Sequence, residues 1–206
     1  MNKKRFALIG VSAIALAVVV AAAAFATVGT KHYSAGLAPI RHSPQADEHS
    51  SATGTATLDV TGTQAHVVLH LRGLSPNLPH AMHIHGLLAA KNECPTPSAD
   101  TNGDGLISLE EGAPFYGPID ESFTTTGDTS AASGLALERF PVSDANGEIN
   151  YDRTFEIPQN VIDRLGSLHI VVHGLALDGN SEGPVGGYDT LFEAVLPVAC
   201  GGISGN

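Results

Sequence analysis

From Ala52 onward the chain divides into short strand-like runs separated by turns, and this pattern constrains the fold more than any other feature. Thr53–Val60 and Ala65–Leu71 are rich in Thr and Val and flank a Thr-Gly-Thr turn, which predicts a β-hairpin. Further strands are predicted at Leu135–Phe140, Ile149–Ile157, Leu168–Leu175 and Thr190–Ala199. One or two helical turns are expected at 158–165, but there is no long amphipathic helix. The sequence therefore predicts an all-β antiparallel sandwich or barrel.

The N-terminus has the features of an export signal. Three basic residues at 3–5 precede an uncharged apolar run at 6–28, and an A-x-A-like cleavage sequence lies at 24–26. Residues 1–28 are predicted to be a signal peptide or, because the apolar run is long, an uncleaved membrane anchor. Both alternatives place the rest of the chain outside the cytoplasm, in an extracellular, periplasmic or cell-surface location.

The remainder is predicted to be a spacer followed by one domain. Residues 29–51 are polar and irregular, which favours a flexible spacer, and residues 52–206 have the length of a single domain. Without the three basic residues of the leader, seven Lys and Arg face 21 Asp and Glu, so the net charge is −14 with neutral histidines. This charge excludes a nucleic-acid-binding function, which needs a basic surface.

Three of the ten histidines lie within six residues, in the segment HAMHIHG at 80–86. In an extended strand His83 and His85 point to the same face, with Cα atoms about 6.6–7 Å apart, so both imidazoles can reach one ion. Neutral imidazole is a preferred ligand of transition metals. A later strand carries His169 and His173 on one face, about 13 Å apart, so normally only one of them can join the same ion. Two such strands predict a transition-metal site, and the alternative is ordinary core or surface histidines.

Residues 100–111 (DTNGDGLISLEE) match the 12-residue calcium-binding loop of EF-hands. The predicted ligands are Asp100, Asn102, Asp104, the backbone carbonyl of Leu106, Ser108 through a water, and Glu111 with both carboxylate oxygens. Pro95 and Pro97 forbid an ordinary entering helix, and only a short exiting helix fits before Pro114. We therefore expect calcium to order a long loop rather than to switch a helix pair, and an acidic loop without an ion is the alternative.

The chain contains two cysteines, Cys94 and Cys200. In an oxidising compartment two cysteines predict one disulfide, and two free thiols are the alternative. Closing a loop of about 100 residues stabilises a folded chain by roughly 4–5 kcal/mol.

Together these motifs resemble the copper/zinc superoxide dismutase family, in the family's own order and from about residue 52 to 204. Residues 80–86 resemble its H-G-F-H-V-H segment, and Cys94 resembles its loop cysteine. Residues 171–173 (VVH) resemble its late V-V-H segment, and residues 198–203 (VACGGI) resemble its closing L-A-C-G-V-I-G.

The resemblance implies an eight-stranded Greek-key β-barrel with long loops and pairing of the two cysteines. It implies copper bound by His83, His85 and His173, with a structural role for His80. It also implies catalysis by this copper centre, with superoxide as substrate and oxygen and hydrogen peroxide as products.

The chain also departs from that family. No histidine occurs between His85 and His169, so the bridging histidine and the zinc site are missing and zinc is not expected. His169, Asp100 or water would then complete the copper shell. Pro197 replaces the arginine that guides superoxide in the family, which together with the negative charge argues against fast, steered dismutation.

Three functions therefore remain open: a copper-only dismutase, a non-catalytic metal-binding module, and a calcium-stabilised structural domain. The HIHG segment at 83–86 also resembles chordin-type (CHRD) domains, an extracellular β-fold, although the cysteines and the VVH and ACGGI segments fit the dismutases better. The sequence indicates neither an oligomeric state nor a protein partner. It does not show whether Tyr188 and Asp189 line a metal channel.

Overall fold

The computed structural model describes residues 29–42, 51–86, 91 and 93–205. The predicted leader at 1–28 and the part of the predicted spacer at 43–50 lie outside the described residues. Within the described ranges, no helix is both long enough and apolar enough to cross a membrane.

Strands are the main regular secondary structure in the described part of the chain. The strands are β1 (Thr30–Pro39), β2 (Thr53–Thr61), β3 (Gln64–Arg72), β4 (Met82–His85), β5 (Ile119–Ser122), β6 (Ile149–Glu156), β7 (His169–His173), β8 (Pro197–Gly202) and β9 (Ser204–Gly205). The helices are α1 (Leu109–Tyr116), α2 (Gln159–Ile162) and α3 (Leu191–Val195). Short 3₁₀ turns occupy Pro97–Ala99, Ala131–Ser133, Leu137–Arg139 and Leu165–Ser167.

The strands form one curled antiparallel sheet in the order β5-β4-β7-β8-β1-β2-β3-β6, and β9 pairs with β1. Side chains from both halves of this sheet meet in one apolar core, in which Leu58 and Leu69 belong to the same cluster as Ile84 and Val172. The predicted all-β fold, an eight-stranded antiparallel barrel or sandwich with long loops, is therefore confirmed.

The predicted β2–β3 hairpin is present, and its alternating pattern sets which residues enter the core. The strands pair from Thr53 with Arg72 to Thr61 with Gln64, and Gly62 in the turn has φ +63°. Because side chains alternate along a strand, Val67 and Leu69 are fully buried while His66 and His70 on the other face are exposed.

Residues 30–39, assigned to the flexible spacer from sequence, instead form β1 in the interior of the sheet. They pair with β2 from Thr30–Thr61 to Leu37–Gly54, and with β8 at Ala38–Cys200. Only Ala35 and Leu37 of this strand are buried, and Tyr33 packs partly buried against the core, so its apolar alternation is short and includes one small side chain. Pairing with two neighbouring strands, rather than local propensity, makes this segment a strand.

Two other sequence predictions were wrong. Leu135–Phe140 was predicted to be a strand but forms an irregular segment with a 3₁₀ turn at Leu137–Arg139. Thr190–Ala199 was also predicted to be a strand, but its first half is α3 and only its end belongs to β8. The reason is a capping box, in which the Glu193 amide donates to Thr190 Oγ1 and the Thr190 amide donates to Glu193 Oε2.

Strands β4 and β7, which carry the candidate functional site, are buried on both faces. Met82 and Ile84 on β4 face the main core. The opposite face is covered by the long connection between β4 and β5, which contains α1. A second apolar cluster joins Ala99, Ile107 and Tyr116 of this cover to Ile40, Val171 and Cys200.

The predicted disulfide is confirmed and anchors this cover to the sheet. Cys94 in the connection is bonded to Cys200 on β8, with Cα atoms 5.7 Å apart. The connection continues into α1, which runs through Pro114 to Tyr116, beyond the predicted helix end.

Candidate metal centre

Three histidines converge on the covered face of β4 and β7. His83 pairs with Val171, and the His173 amide donates to the Ala81 carbonyl, so alternate residues of both strands share this face. The ring centroids lie 5.3 Å apart for His83–His85, 5.3 Å for His83–His173 and 5.6 Å for His85–His173. All three side chains are buried. We call this group the histidine trio.

One nitrogen of each ring is bonded to a backbone carbonyl. The three contacts are His83 Nε2 to Gly134 O (3.1 Å), His85 Nδ1 to Gly117 O (2.9 Å) and His173 Nδ1 to Val195 O (2.8 Å). Because a carbonyl oxygen can only accept, these nitrogens carry the hydrogen. The other nitrogens of the three rings therefore present lone pairs.

These lone-pair nitrogens are His83 Nδ1, His85 Nε2 and His173 Nε2, which are buried without a hydrogen-bond partner in the structure. One ligand atom from each of the three rings lies within 4.8 Å of the other two. A buried acceptor left without a donor costs about 1–3 kcal/mol, so three acceptors facing each other are unfavourable in the absence of a cation. The arrangement fits a metal ion bound by three imidazoles.

The three carbonyls come from three separate connections, each fixed independently. Gly117 caps the C-terminus of α1 with φ +81°, and Val195 is the last residue of α3. Gly134 follows the 3₁₀ turn at Ala131–Ser133. This turn is held in place because Arg139 Nη2 donates to Ser133 Oγ at 2.8 Å. Backbone carbonyls that fix the tautomer of ligating histidines are the usual outer shell of a metal site.

Burial keeps the trio neutral. Burial is the main cause that lowers the pKa of His85 to about 3 and the pKa of His173 to about 4. Burial, followed by the neighbouring His173 and His85, places the pKa of His83 well below its usual value. Neutral imidazole is the form that binds Co²⁺, Ni²⁺, Cu²⁺ and Zn²⁺.

A pocket of about 330 Å³ opens beside the trio. Besides the histidines it is lined mainly by apolar side chains: Leu109, Ala113, Tyr116, Ile119, Leu135 and Val195. Leu109 and Leu135 are 37% and 59% exposed, so they lie where the pocket meets solvent. We call this space the trio pocket.

His169 lies outside the trio, although it was predicted as an additional ligand. It is half-buried and pairs directly with His85 in the register of β7 and β4. The group of side chains close enough to share an ion contains His173 and not His169. Asp100, another predicted fourth ligand, belongs to the predicted calcium loop at 100–111, which we call the acidic loop, and is likewise not part of that group.

His80, for which the resemblance implied a structural role, has a backbone carbonyl within hydrogen-bond distance of each ring nitrogen. It is fully buried, with Nδ1 2.9 Å from the His173 carbonyl and Nε2 2.9 Å from the Ser75 carbonyl. Tyr188 packs edge-on against it at 6.3 Å and donates to the Pro79 carbonyl. Tyr188 is therefore part of the support of β4 and does not line the trio pocket, and Asp189 does not line it either.

The predicted calcium loop at 100–111 is closed by its own hydrogen bonds. Glu111 Oε1 accepts from the amides of Thr101 (2.8 Å) and Asn102 (3.2 Å), and Oε2 accepts from the amide of Ser108 (3.0 Å). The hydrogen bonds from Ser108, and then those from Thr101, lower the pKa of Glu111 to about 2.

Other side chains of this loop also accept hydrogen bonds from its backbone amides. Asp100 accepts from the amides of Gly103 and Gly105, and Asp104 accepts from the amide of Leu106. Asn102 Oδ1 accepts from the amide of Asp104. Among the described residues, the only group of three or more His, Cys, Asp or Glu arranged to share an ion is the histidine trio. The three carboxylates of the predicted calcium site, Asp100, Asp104 and Glu111, therefore do not form such a group.

Sequence reasoning missed His42, which it placed in the spacer without a role. This side chain is 1% exposed, and its Nδ1 accepts from the amide of Ile107 at 2.9 Å. It thereby connects the segment after β1 to the acidic loop. A single histidine in a polar stretch carries no local signal of such a contact.

Comparison with known proteins assigns the family. The family model described as CHRD domain matches residues 33–174, well over half of the chain, and this match contains all three histidines of the trio. No curated protein matches the chain. The assignment to the copper/zinc superoxide dismutases is therefore wrong, and with it the inference of copper-dependent superoxide dismutation by the three histidines. The weaker resemblance of the HIHG segment indicated the correct family: the chain belongs to the CHRD domain family.

Proposed function

We propose that this chain is an exported, non-catalytic domain that binds one late first-row transition-metal ion through the histidine trio. One observation carries the proposal: the three buried nitrogens without hydrogen-bond partners belong to rings whose other nitrogen is fixed on a carbonyl. In a site prepared in this way, the tautomers of all three rings are already set for an ion.

The donor set defines the class of ion. Three neutral imidazoles without a carboxylate favour Co²⁺, Ni²⁺, Cu²⁺ or Zn²⁺ over Ca²⁺ and Mg²⁺, which prefer oxygen. Three protein ligands also leave at least one coordination position for a small molecule.

Export is supported by two features of the chain. The basic and then apolar N-terminal sequence is typical of a signal peptide or an anchor, and the Cys94–Cys200 disulfide is typical of an oxidising compartment. We propose an extracellular, periplasmic or cell-surface location, with attachment to the membrane if the leader is uncleaved.

The metal proposal is tested by calorimetry with untagged, metal-free protein. We expect one Zn²⁺ per chain for the wild type and no binding for His83→Ala or His173→Ala, with bound metal counted by elemental analysis. His66→Ala is the matched control, because His66 is exposed and bonded to Asp152, and it should bind Zn²⁺ as the wild type does. Unchanged binding in His83→Ala would overturn the proposal.

A second ion is proposed for the acidic loop, where calcium would act as a structural clamp. The observation in its favour is that all six liganding positions of the EF-hand pattern are filled and the loop leads directly into α1. Calcium binding there would exchange the bonds that Glu111 makes with the loop for bonds to the ion.

A further inference from the structure

The trio pocket has properties that a site for a metal ion alone does not need. Its volume of about 330 Å³ lies at the low end of the range of small-molecule sites. The inference drawn from it below rests on the proposed function, because it requires an ion on the histidine trio.

The charge of a bound ion is not compensated by the protein. Three neutral imidazoles would leave a divalent ion with its full charge, and no Asp, Glu, Lys or Arg lines the trio pocket among the described residues. An uncompensated charge surrounded by apolar side chains is strongly unfavourable. The coordination position that the three histidines leave open is therefore best filled by an anion.

The shape and lining of the pocket select what is attached to that anion. Leu109, Leu135 and Val195 present apolar surface beside the histidines, and the first two are partly exposed at the entrance. A small inorganic anion would leave this surface in contact with water. A thiolate would be oxidised in a compartment that maintains the Cys94–Cys200 disulfide.

We infer that the trio pocket binds a small monocarboxylate with an apolar body. The carboxylate coordinates the metal ion on the trio, and the body packs against Leu109, Leu135 and Val195. The metal ion supplies the charge that selects the head group, and the pocket supplies the surface that selects the body.

The inference is tested by titrating Zn²⁺-loaded protein with acetate, butanoate and hexanoate in a calorimeter. We expect affinity to rise about fourfold for each methylene that becomes buried, because that is the effect of removing one methylene from water. Hexanol and hexylammonium have the same apolar body without the anionic head, and they should bind at least tenfold more weakly than hexanoate. Metal-free protein should not bind hexanoate.

A matched pair of variants locates the site. Leu135→Asn should weaken hexanoate binding about tenfold and leave Zn²⁺ binding unchanged, since Leu135 lines the pocket but makes no contribution to the trio. Val142→Asn is the control, because Val142 is 60% exposed and lies outside the pocket. Both residues are exposed, so neither variant should affect folding.

Two results separate failure of this inference from failure of the proposed function. If Zn²⁺ binds but affinity is the same for acetate and hexanoate, or Leu135→Asn binds hexanoate normally, the carboxylate inference is overturned and the metal site remains. If elemental analysis finds no Zn²⁺ on the wild type, the proposed function itself fails and the inference fails with it.

Discussion

The histidine trio and the acidic loop at 100–111 are both candidate ion sites, but they satisfy their polar atoms in opposite ways. In the trio, carbonyls from three distant connections hold one nitrogen of each ring and leave the other without a partner. In the loop, neighbouring backbone amides donate to Asp100, Asp104 and Glu111.

This difference teaches what an ion would do at each place. At the trio an ion would satisfy atoms that the fold leaves unsatisfied, so binding adds interactions without removing any. At the loop an ion would have to replace hydrogen bonds that already exist. We therefore expect an ion at the trio to raise the free energy of unfolding of the protein more than calcium at the loop does.

The largest expected effect is stabilisation by a transition metal. Zn²⁺ at 1,000 times its dissociation constant should raise the free energy of unfolding of the wild type by about 4 kcal/mol. His173→Ala should gain nothing and Asp104→Ala should gain the full amount, each compared with its own metal-free form in denaturant unfolding. If Zn²⁺ raised the free energy of unfolding of His173→Ala as much as that of the wild type, the stabilising ion would not be bound by the trio.

The next effect separates the sites by pH, in metal-free protein. The pKa values of the buried histidines are lowered from 6.5, to about 4 for His173 and about 3 for His85. Below pH 6.5 the unfolded state therefore binds more protons than the folded state does. Stability should therefore fall from pH 6.5 toward pH 3–4, by on the order of 3 kcal/mol for His173 alone. Unfolding free energy measured across this range checks the expectation.

Glu111 provides the contrast in the same experiment. Its pKa is lowered from 4.5 to about 2, so its contribution is present above pH 4.5 and is lost as pH falls toward 2. Glu111→Gln should leave the pH dependence between 6.5 and 4.5 unchanged and alter only the more acidic part. A change near pH 6 in this variant would show that the two sites are coupled.

Calcium should have a smaller effect. At 10–100 times the dissociation constant, calcium should raise the free energy of unfolding of the wild type by about 2 kcal/mol, and Asp104→Ala should lose this gain. Asp163→Ala, which removes an exposed carboxylate outside the loop, is the control. The same melting temperature for the wild type and Asp104→Ala in calcium would count against calcium binding by the loop.

The smallest effect concerns a second unpaired group near the trio. The Tyr116 hydroxyl is buried without a partner, whereas the hydroxyl of Tyr151 donates to the Thr124 carbonyl at 3.0 Å. Tyr116→Phe should stabilise the metal-free protein by about 1 kcal/mol, and Tyr151→Phe should destabilise it by about 1 kcal/mol. Denaturant unfolding of both variants is the measurement, and destabilisation of Tyr116→Phe would reveal a partner for its hydroxyl.

The sequence predicted those parts of the fold whose information is local. Alternation along Thr53–Val60 and Ala65–Leu71 was sufficient for the hairpin, and strand spacing was sufficient to place His83 and His85 together. Spacing left open which of His169 and His173 joins them, and His173 was chosen only through the resemblance to the dismutases. Residues 30–39 and α3 were assigned wrongly, because pairing with β2 and β8 determines the first and a capping box determines the second.

The outer shell of the histidine trio could not be predicted, because the carbonyls of Gly117, Gly134 and Val195 are backbone groups without a sequence signature. The family was assigned wrongly because the motifs used describe a local geometry. A His-x-His strand beside a second strand with histidines can occur in more than one protein family.

The position of β1 between β8 and β2 also determines when the domain can finish folding. Cys200 on β8 pairs with Ala38 on β1, and Cys94 can form its disulfide only after Cys200 has been synthesised. Contacts between residues so far apart in sequence form slowly and expose strand edges until they do. During synthesis, β7 and the histidine trio would gain their neighbour β8 only after residues 197–202 had been made. Metal loading is therefore expected to follow synthesis of β8 rather than to precede it.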